Sequence, residues 1–313
     1  MSDLSRHAPL PDPRSHPTPV PPERSVAGRC DGGEQGPLGL IAGAGRFPFL
    51  VAEGARRCGV AVSLIALRGL ADPALAQLAD EVCWSGLARL GGWIRRLKRR
   101  GVTRVVLAGY VRKSAMYGRF RLLHHLPDWT SIRLWFFSLR DKRNDTILSR
   151  VADEFARHGI TMEDCIKYTP EHLAPEGVLT RRAPDAAHLA DLRFGWPLAK
   201  ELGRLDIGQC VAVKETEVIA VEAIEGTDRM IERAGALCPR GGWTLIKTAK
   251  PNQDLRFDVP TVGPDTITRL VKHRAAMLAV EAGRTLMIDR AAMIEAADRA
   301  GLILIGVGAE GPR

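Results

Sequence analysis

The sequence predicts an α/β protein with two domains, an N-terminal Rossmann-like domain built on a parallel sheet and a C-terminal mixed α/β domain. Its 313 residues are enough for two cores of ordinary domain size. In the first half, short apolar runs alternate with helical patterns, which is typical of a parallel sheet. In the second half, paired strand patterns follow a passage rich in proline and glycine, which indicates a second, mixed sheet.

The first half begins with a strand, a glycine turn and a helix. The apolar run at 38–42 ends in Gly43-Ala44-Gly45, and a later apolar run ends at Gly109-Tyr110. Folds of this kind bind ligands at the carboxyl ends of their strands, where both glycine-containing segments lie. In order, the predicted elements are strand 38–42, helix 48–58, strand 60–67, helix 90–100, strand 104–108 and helix 145–158.

The second half opens with a hairpin, because a polar turn at 214–216 separates two apolar runs. Pro251 and Pro260 flank another predicted strand, 254–259, which must therefore be short and lie at a sheet edge. The predicted strands are 209–213, 218–222, 243–247, 254–259, 285–288 and 302–305, and the predicted helices are 227–236, 265–273 and 290–299.

Proline and glycine content sets the predicted boundaries. The first 37 residues contain eight prolines and almost no large apolar groups, so they are expected to be disordered. A second passage rich in both residues follows residue 169. The resulting division is a tail at 1–37, an N-terminal domain at 38–168, a linker region at 169–184 and a C-terminal catalytic domain at 185–313.

The composition is typical of a cytoplasmic globular protein. Hydrophobic residues make up 45% of the chain, and the six cysteines are scattered without the spacing of a zinc site or a disulfide framework. No apolar run approaches the length of a membrane span, and the first residues lack the apolar middle of a signal peptide.

Basic charge is concentrated in one region. Between Arg89 and Arg143, fifteen Lys or Arg residues stand against two acids, a local net charge of +13 in a chain of net charge +9. Apolar and aromatic residues are mixed with these cations, which suits an anionic membrane surface or an amphiphilic anionic ligand. Nucleic acid is a competing partner, but no motif for its recognition is present, so none is predicted. The cations at 95–100 are also consistent with the solvated face of a helix.

The segment from Asp254 to Val259 carries the most reactive set of side chains. If it is extended, Asp254, Arg256 and Asp258 share one face, with apolar residues on the other. Such a row can hold a cation between its carboxylates, or one carboxylate can take a proton from water while the arginine binds a phosphate. The alternative is an edge strand with one solvated face.

Several other segments are candidate anion sites. The turn Gly43-Ala44-Gly45 precedes a helix, so its amides and the helix dipole could bind a phosphate, although the turn could equally be structural. Residues 225–228 start another helix, with a plain helix cap as the alternative. Asn144-Asp145 also opens a helix, where capping is the simplest role. Lys247 and Lys250 could balance the charge of a diphosphate.

These motifs together resemble those of one enzyme family, the UDP-2,3-diacylglucosamine pyrophosphatases of the LpxI type. The similarity runs in order from Leu38 to Val307. Its most specific part is the run at 225–228 combined with Arg256, Asp258 and the Pro260-Thr261 that follows. The matching segments are 38–48, 108–111, 205–209, 222–228 and 247–263.

The resemblance implies a cytoplasmic enzyme of lipid A synthesis that hydrolyses UDP-2,3-diacylglucosamine to UMP and 2,3-diacylglucosamine 1-phosphate (lipid X). It also implies a magnesium ion, water attack on the glucosamine-side phosphorus, two α/β domains that close over a lipidic UDP-sugar, and a homodimer. Peripheral association with the inner membrane agrees with the basic region. The rival hypotheses are a nicotinamide-dependent or sugar-nucleotide-modifying enzyme, and a non-enzymatic regulator that binds anionic lipid or nucleic acid.

Site residues follow from the resemblance and from the chemistry of the side chains. Asp258 matches the family's catalytic aspartate and is predicted as general base or metal ligand, with Asp254 and Asp228 as further metal ligands. The predicted substrate-binding residues are Gly43, Ala44, Gly45, Arg46, Gly109, Tyr110, Asn144, Asp145, Gln209, Thr227, Lys247, Lys250 and Arg256. The chain departs from the family pattern at Asn144, where the family has an aspartate, and at Lys113-Ser114, where it has Arg-Pro.

Overall fold

A computed structural model describes residues 36–111, 127–134, 144–251 and 253–312 of the chain. The predicted tail at 1–37 lies outside these residues except for its last two positions. Lys113-Ser114 also lies outside them, as do several apolar residues of the basic region, among them Leu122, Leu123, Trp135, Phe136 and Phe137.

The N-terminal part is a parallel sheet with helices packed against it. Its strands lie in the order β3-β2-β1-β4-β5, and every pairing between neighbours is parallel. The elements are β1 (Leu38–Ala42), α1 (Phe47–Arg57), β2 (Val62–Leu67), β3 (Glu81–Ser85), α2 (Leu90–Arg99), β4 (Arg104–Ala108), α3 (Trp129–Arg133), α4 (Asn144–Arg157) and β5 (Thr161–Met162), with a 3₁₀ helix at Pro73–Leu78.

The C-terminal part contains a mixed sheet in the order β6-β13-β11-β9-β7-β8. Strands β9, β11 and β13 are parallel, whereas β6 and β7 run antiparallel to them. The elements are β6 (Gly177–Val178), α5 (Ala186–Arg204), β7 (Cys210–Lys214), β8 (Glu217–Val221), α6 (Thr227–Leu237), β9 (Thr244–Lys247), β10 (Thr261–Val262), α7 (Pro264–Lys272), β11 (Met277–Glu281), β12 (Leu286–Met287), α8 (Arg290–Ala300) and β13 (Ile303–Val307), with a 3₁₀ helix at Pro170–His172.

This architecture confirms the predicted fold class of a Rossmann-like parallel sheet followed by a mixed α/β domain. The carboxyl ends of β1 and β4 lie side by side, because Ala42 pairs with Ala108. In the second sheet, Lys247 at the end of β9 pairs with Val280 in β11. The order of strands therefore brings the predicted site segments to the carboxyl edges of both sheets.

Several elements differ from the sequence prediction. Residues 254–259 form no strand, and the strand predicted at 285–288 is β12, which pairs with β10 and not with the mixed sheet. Strand β6 lies inside the region predicted as a linker and joins the second sheet through β13. Strands β3, β5, β10 and β11 and helices α3 and α5 had no counterpart in the prediction.

Both sheets are covered by apolar side chains that sit under the helices. Leu97 and Trp93 of α2 pack on one face of the first sheet with Phe155 of α4, and α1 packs on the other face. In the second part, Met230 of α6 and Trp243 are fully buried in a cluster that also contains residues of α7 and α8, and Trp196 of α5 lies in the cluster on the opposite face. None of the described helices is long and apolar enough to cross a membrane.

Candidate active site

The segment that carries Asp258 is a helical turn. The backbone amides of Phe257 and Asp258 both donate to the carbonyl of Asp254, at 3.0 and 3.1 Å. The predicted extended row is therefore wrong. The alternation of charged and apolar residues that suggested a strand has another cause. Phe257 and Val259 pack against apolar clusters of the N-terminal domain, while the charged residues lie at the surface of the turn.

Asp254 and Arg256 form a pair within this turn. The Arg256 guanidinium donates to both carboxylate oxygens of Asp254, with Nε at 2.9 and 3.1 Å and Nη2 at 2.6 Å. These bonds hold the pKa of Asp254 below its ordinary value. Arg256 must therefore release or share Asp254 before it can bind a phosphate through both edges of its guanidinium.

The Asp258 turn bridges the two domains. It begins shortly after β9 of the C-terminal sheet, lies on the N-terminal domain, and returns to β10. The amide and the thiol of Cys165 both donate to the Leu255 carbonyl, at 3.2 and 2.9 Å. Burial raises the pKa of this thiol to about 12, so it stays protonated and keeps its donor role. The turn therefore places Asp258 at the contact between the domains.

Lys247 lies at the centre of a buried polar cluster at the end of β9. Its side chain is only 5% exposed, and its ammonium donates to the Thr227 hydroxyl at 3.2 Å and to the Thr261 carbonyl at 2.9 Å. The Thr227 hydroxyl in turn donates to the Glu222 carboxylate at 2.7 Å. Glu222 is also buried, with 7% of the residue exposed. The sequence prediction that Thr227 and Lys247 belong to one site thus agrees with this contact.

Cys210 and Gln209 complete this cluster. The Thr227 hydroxyl gives its proton to Glu222, so it can accept from Lys247 and from Cys210, whose sulfur is 3.7 Å away. Burial raises the pKa of the Cys210 thiol to about 12, which leaves it a weak donor. Gln209 donates its backbone amide to Glu222 at 3.1 Å, and its buried Oε1 has no partner within the described residues. A buried polar atom of this kind normally binds water or a ligand.

No role was predicted from the sequence for Glu222, Gln253 or Glu281. Glu281 ends β11, is completely buried, and accepts from Lys200 at 2.6 Å and from the Ala249 amide at 2.7 Å. Gln253 bridges Lys250 and Asp258. The signal in the sequence was weak, since each is a single polar residue beside an apolar strand or a charged loop. The partners of Glu281 lie 81 and 32 residues away, whereas Gln253 bonds to residues three and five positions away.

The glycine turn of the first domain is held tightly. The amides of Gly43 and Ala44 donate to the carbonyls of Ala108 and Tyr110, at 2.8 and 2.9 Å. A Cβ atom at Gly109, whose φ is +89°, would lie 2.6 Å from the Ala44 carbonyl oxygen. These bonds give Gly43 and Ala44 a structural role, and they leave the amides of Gly45 and Arg46, before α1, as the better candidates for an anion.

Arg46 connects this turn to the other domain. Its guanidinium lies 3.3 Å from Glu53 and 3.9 Å from Asp289, the residue that precedes α8. Tyr110, on the neighbouring loop, is half exposed. Both side chains are therefore accessible at the carboxyl edge of the first sheet, next to the C-terminal domain.

Lys250 and Asp228 each have an ionic partner already. Lys250 lies 2.5 Å from Asp206, and Asp228, in the first turn of α6, lies 3.3 Å from the guanidinium of Arg269. Asn144 and Asp145 are the first residues of α4, but their side chains are outside the described part of the structure.

The three predicted metal ligands do not form one ligand set. Asp254 is paired with Arg256, Asp228 is paired with Arg269, and only Asp258 has an uncharged partner, Gln253. Within the described ranges, no group of three or more His, Cys, Asp or Glu side chains is arranged to hold a metal ion. The assignment of Asp258, Asp254 and Asp228 as metal ligands therefore stays a prediction.

Comparison with known proteins identifies the family. Residues 37–172 match the family model of the LpxI N-terminal domain, and residues 175–305 match that of the LpxI C-terminal domain. The chain belongs to the LpxI family. It is 37% identical over 280 residues to the UDP-2,3-diacylglucosamine pyrophosphatase LpxI of Caulobacter vibrioides. The aligned residues cover 86% of this chain and 97% of that relative.

Membership of the LpxI family confirms the resemblance inferred from the motifs. The two matched regions meet between residues 172 and 175, so the Asp258 turn belongs to the LpxI C-terminal domain by sequence. Its apolar side chains nevertheless pack on the LpxI N-terminal domain.

Proposed function

We propose that this protein hydrolyses UDP-2,3-diacylglucosamine to UMP and 2,3-diacylglucosamine 1-phosphate, lipid X, in lipid A synthesis in the cytoplasm. The observation that carries the proposal is the Asp258 turn, which holds a carboxylate at the contact between the domains, while the buried Lys247 of the same segment donates to Thr261, three residues beyond Asp258. The named activity of the Caulobacter relative supports the choice of substrate.

The LpxI C-terminal domain supplies positive charge for the diphosphate. An ammonium has three donors, and two of those on Lys247 are used by Thr227 and Thr261. We assign the third to a phosphate oxygen. Lys250 and Arg256 are held by carboxylates, and we propose that they exchange these partners for the phosphates when substrate binds.

Asp258 is proposed as the general base. One of its oxygens accepts from Gln253, and the other is able to accept a proton from water. The loops at Gly45, Arg46 and Tyr110 would hold the uridine side on the first domain. Water would then attack the glucosamine-side phosphorus from the second domain, with UMP as the leaving group.

Magnesium is proposed as the cofactor. The chemistry of Asp258 fits this ion, which proteins commonly hold through one or two carboxylates together with phosphate oxygens of the substrate. Asp254 could add a second carboxylate once Arg256 has moved to the substrate. When bound, the ion would neutralise part of the charge of the diphosphate and lower the pKa of bound water.

Release of UMP from UDP-2,3-diacylglucosamine tests this function. Purified protein should form UMP in the presence of magnesium, and EDTA should reduce the rate until magnesium is restored. Activity with UDP-glucose at the same rate would favour a general sugar-nucleotide hydrolase. No release of UMP under any of these conditions would contradict the proposal.

A membrane-facing surface is proposed on α2 and α3. The exposed side of α2 carries Arg95, Arg96, Lys98 and Arg99, while Trp129 at the start of α3 is 72% exposed. The Gly92 amide donates to Asp128 at 2.8 Å, which fixes α3 beside α2. Cations beside an exposed tryptophan suit the headgroup region of an anionic membrane.

The family resemblance also leads us to propose a homodimer, which sedimentation equilibrium would test.

Replacing Arg95, Arg96 and Arg99 together by Glu should weaken co-sedimentation with phosphatidylglycerol vesicles by at least about tenfold, because each cation near such a surface contributes on the order of 1 kcal/mol. Hydrolysis in detergent should stay unchanged. The matched control replaces Arg240, Lys272 and Arg299, exposed cations of the C-terminal domain, by Glu. Equal loss of vesicle binding in both variants would show that net charge, and not this surface, is responsible.

A further inference from the structure

The chain between Lys247 and Asp258 is held by hydrogen bonds from three consecutive amides. The Thr248 amide donates to the Gln209 carbonyl at 3.0 Å, and the Ala249 amide donates to the Glu281 carboxylate at 2.7 Å. The Lys250 amide donates to the side-chain oxygen of Gln253 at 2.9 Å. Gln209 and Glu281 come from other parts of the fold, whereas Gln253 belongs to the segment itself, so the path of the segment is fixed before it reaches the Asp258 turn.

Gln253 continues this series to Asp258. Its side-chain nitrogen donates to Oδ2 of Asp258 at 2.7 Å. A carboxamide has an acceptor at one end and donors at the other. Because its oxygen accepts from Lys250, only one orientation of the amide is compatible with both partners, and that orientation turns the donors toward Asp258. The reversed orientation would place a donor against an amide and an oxygen against a carboxylate.

We infer that Gln253 is a positioning residue for Asp258, an inference that rests on the proposed role of this aspartate in hydrolysis. The bond to Gln253 holds Oδ2 and fixes the plane of the carboxylate, so that Oδ1 is the oxygen directed at water. Gln253 itself contacts no reacting atom. Glu281 is the buried anchor of the same segment, since its carboxylate is fully enclosed and is held by Lys200 while it fixes Ala249.

Two variants separate the two halves of the amide. Gln253→Ala removes the acceptor for Lys250 and the donor for Asp258. Gln253→Glu keeps an acceptor for the Lys250 amide and replaces the donor with an oxygen that faces the Asp258 carboxylate. If Gln253 acts through Asp258, both variants should lower kcat by about 10- to 100-fold. A displacement of about 1 Å in a catalytic group can cost about a hundredfold in rate. KM should change less than about threefold in Gln253→Glu, because that variant keeps the acceptor for the Lys250 amide and alters no cation proposed to bind a phosphate.

The alternative is that Gln253 only closes the turn at Lys250. In that case Gln253→Glu should keep wild-type kcat while Gln253→Ala loses it, which would overturn the inference. Gln77→Ala, a change at an exposed glutamine of the first domain, is the matched control and should leave kcat unaltered.

Hydrogen exchange without substrate keeps this inference separate from the proposed function. Amides at 257 and 258 should exchange faster in both Gln253 variants than in the wild type, because the turn is no longer tied to the side chain. If the wild type releases no UMP, the proposed function fails on its own, whereas unchanged exchange in both variants would overturn the positioning role even in an active enzyme.

Discussion

Asp258→Asn is expected to lower kcat by about a hundredfold to ten-thousandfold, the range that a general base contributes. Asparagine has the same shape as aspartate and can still accept from Gln253, but it cannot take a proton from water. Substrate affinity should change little, because the cations proposed to bind the phosphates remain in place. The measurement is the steady-state rate of UMP release, together with binding of substrate by calorimetry.

Asp265→Asn is the matched control, since Asp265 is an exposed aspartate at the start of α7. It should retain wild-type rates. If Asp258→Asn released UMP at a rate close to that of the wild type, Asp258 would be neither the base nor an essential metal ligand.

Lys247→Met should lower both stability and activity. Methionine fills nearly the same volume but leaves the Thr261 carbonyl without its donor and removes the cation that is linked through Thr227 to the buried Glu222. A buried polar group left without a partner costs about 1–3 kcal/mol, so the melting temperature should fall by several degrees. KM should also rise, because the lysine is assigned to a phosphate oxygen.

Lys272→Met, at the exposed end of α7, provides the comparison and should change neither quantity. Differential scanning calorimetry and substrate titration report the two effects separately. A Lys247→Met variant with normal stability and normal KM would show that the buried cluster contributes neither to folding nor to substrate binding.

The sequence predicted the sheet edges that form the site but missed helix α5. Gly195 and Pro197 interrupt that helical pattern, and both residues normally disfavour a helix interior. The structure explains the glycine, since a Cβ atom at this position would lie 2.4 Å from Cδ1 of Ile246. Close packing between α5 and the sheet therefore selects a residue that local propensity argues against.

Strand β11 was missed for a related reason. Its sequence, Met277–Glu281, contains an alanine and ends in a glutamate, residues that are common in helices. Burial between β9 and β13 overrides this propensity, and the glutamate is compensated by Lys200 and the Ala249 amide. These partners are distant in sequence, so no local pattern reveals them.

The sequence indicated which residue types make up the candidate site, but not the backbone conformation that holds them. Lys247 and Thr227 were both predicted as site residues, and the structure brings them into contact at 3.2 Å, because β9 ends at Lys247 and α6 begins at Thr227. Asp254 and Asp258 were placed on an extended row, whereas the packing of Phe257 and Val259 on the first domain folds the segment into a turn. That contact depends on both domains and cannot be predicted from a two-residue period.

Hydrolysis in oxygen-18 water tests the central claim most directly, since it shows which phosphorus is attacked. The proposed arrangement holds UMP on the LpxI N-terminal domain and delivers water from Asp258 to the glucosamine-side phosphorus. Mass spectrometry should therefore find the label in 2,3-diacylglucosamine 1-phosphate and none in UMP. Label in UMP would mean that water attacks from the uridine side, and it would contradict the role assigned to Asp258.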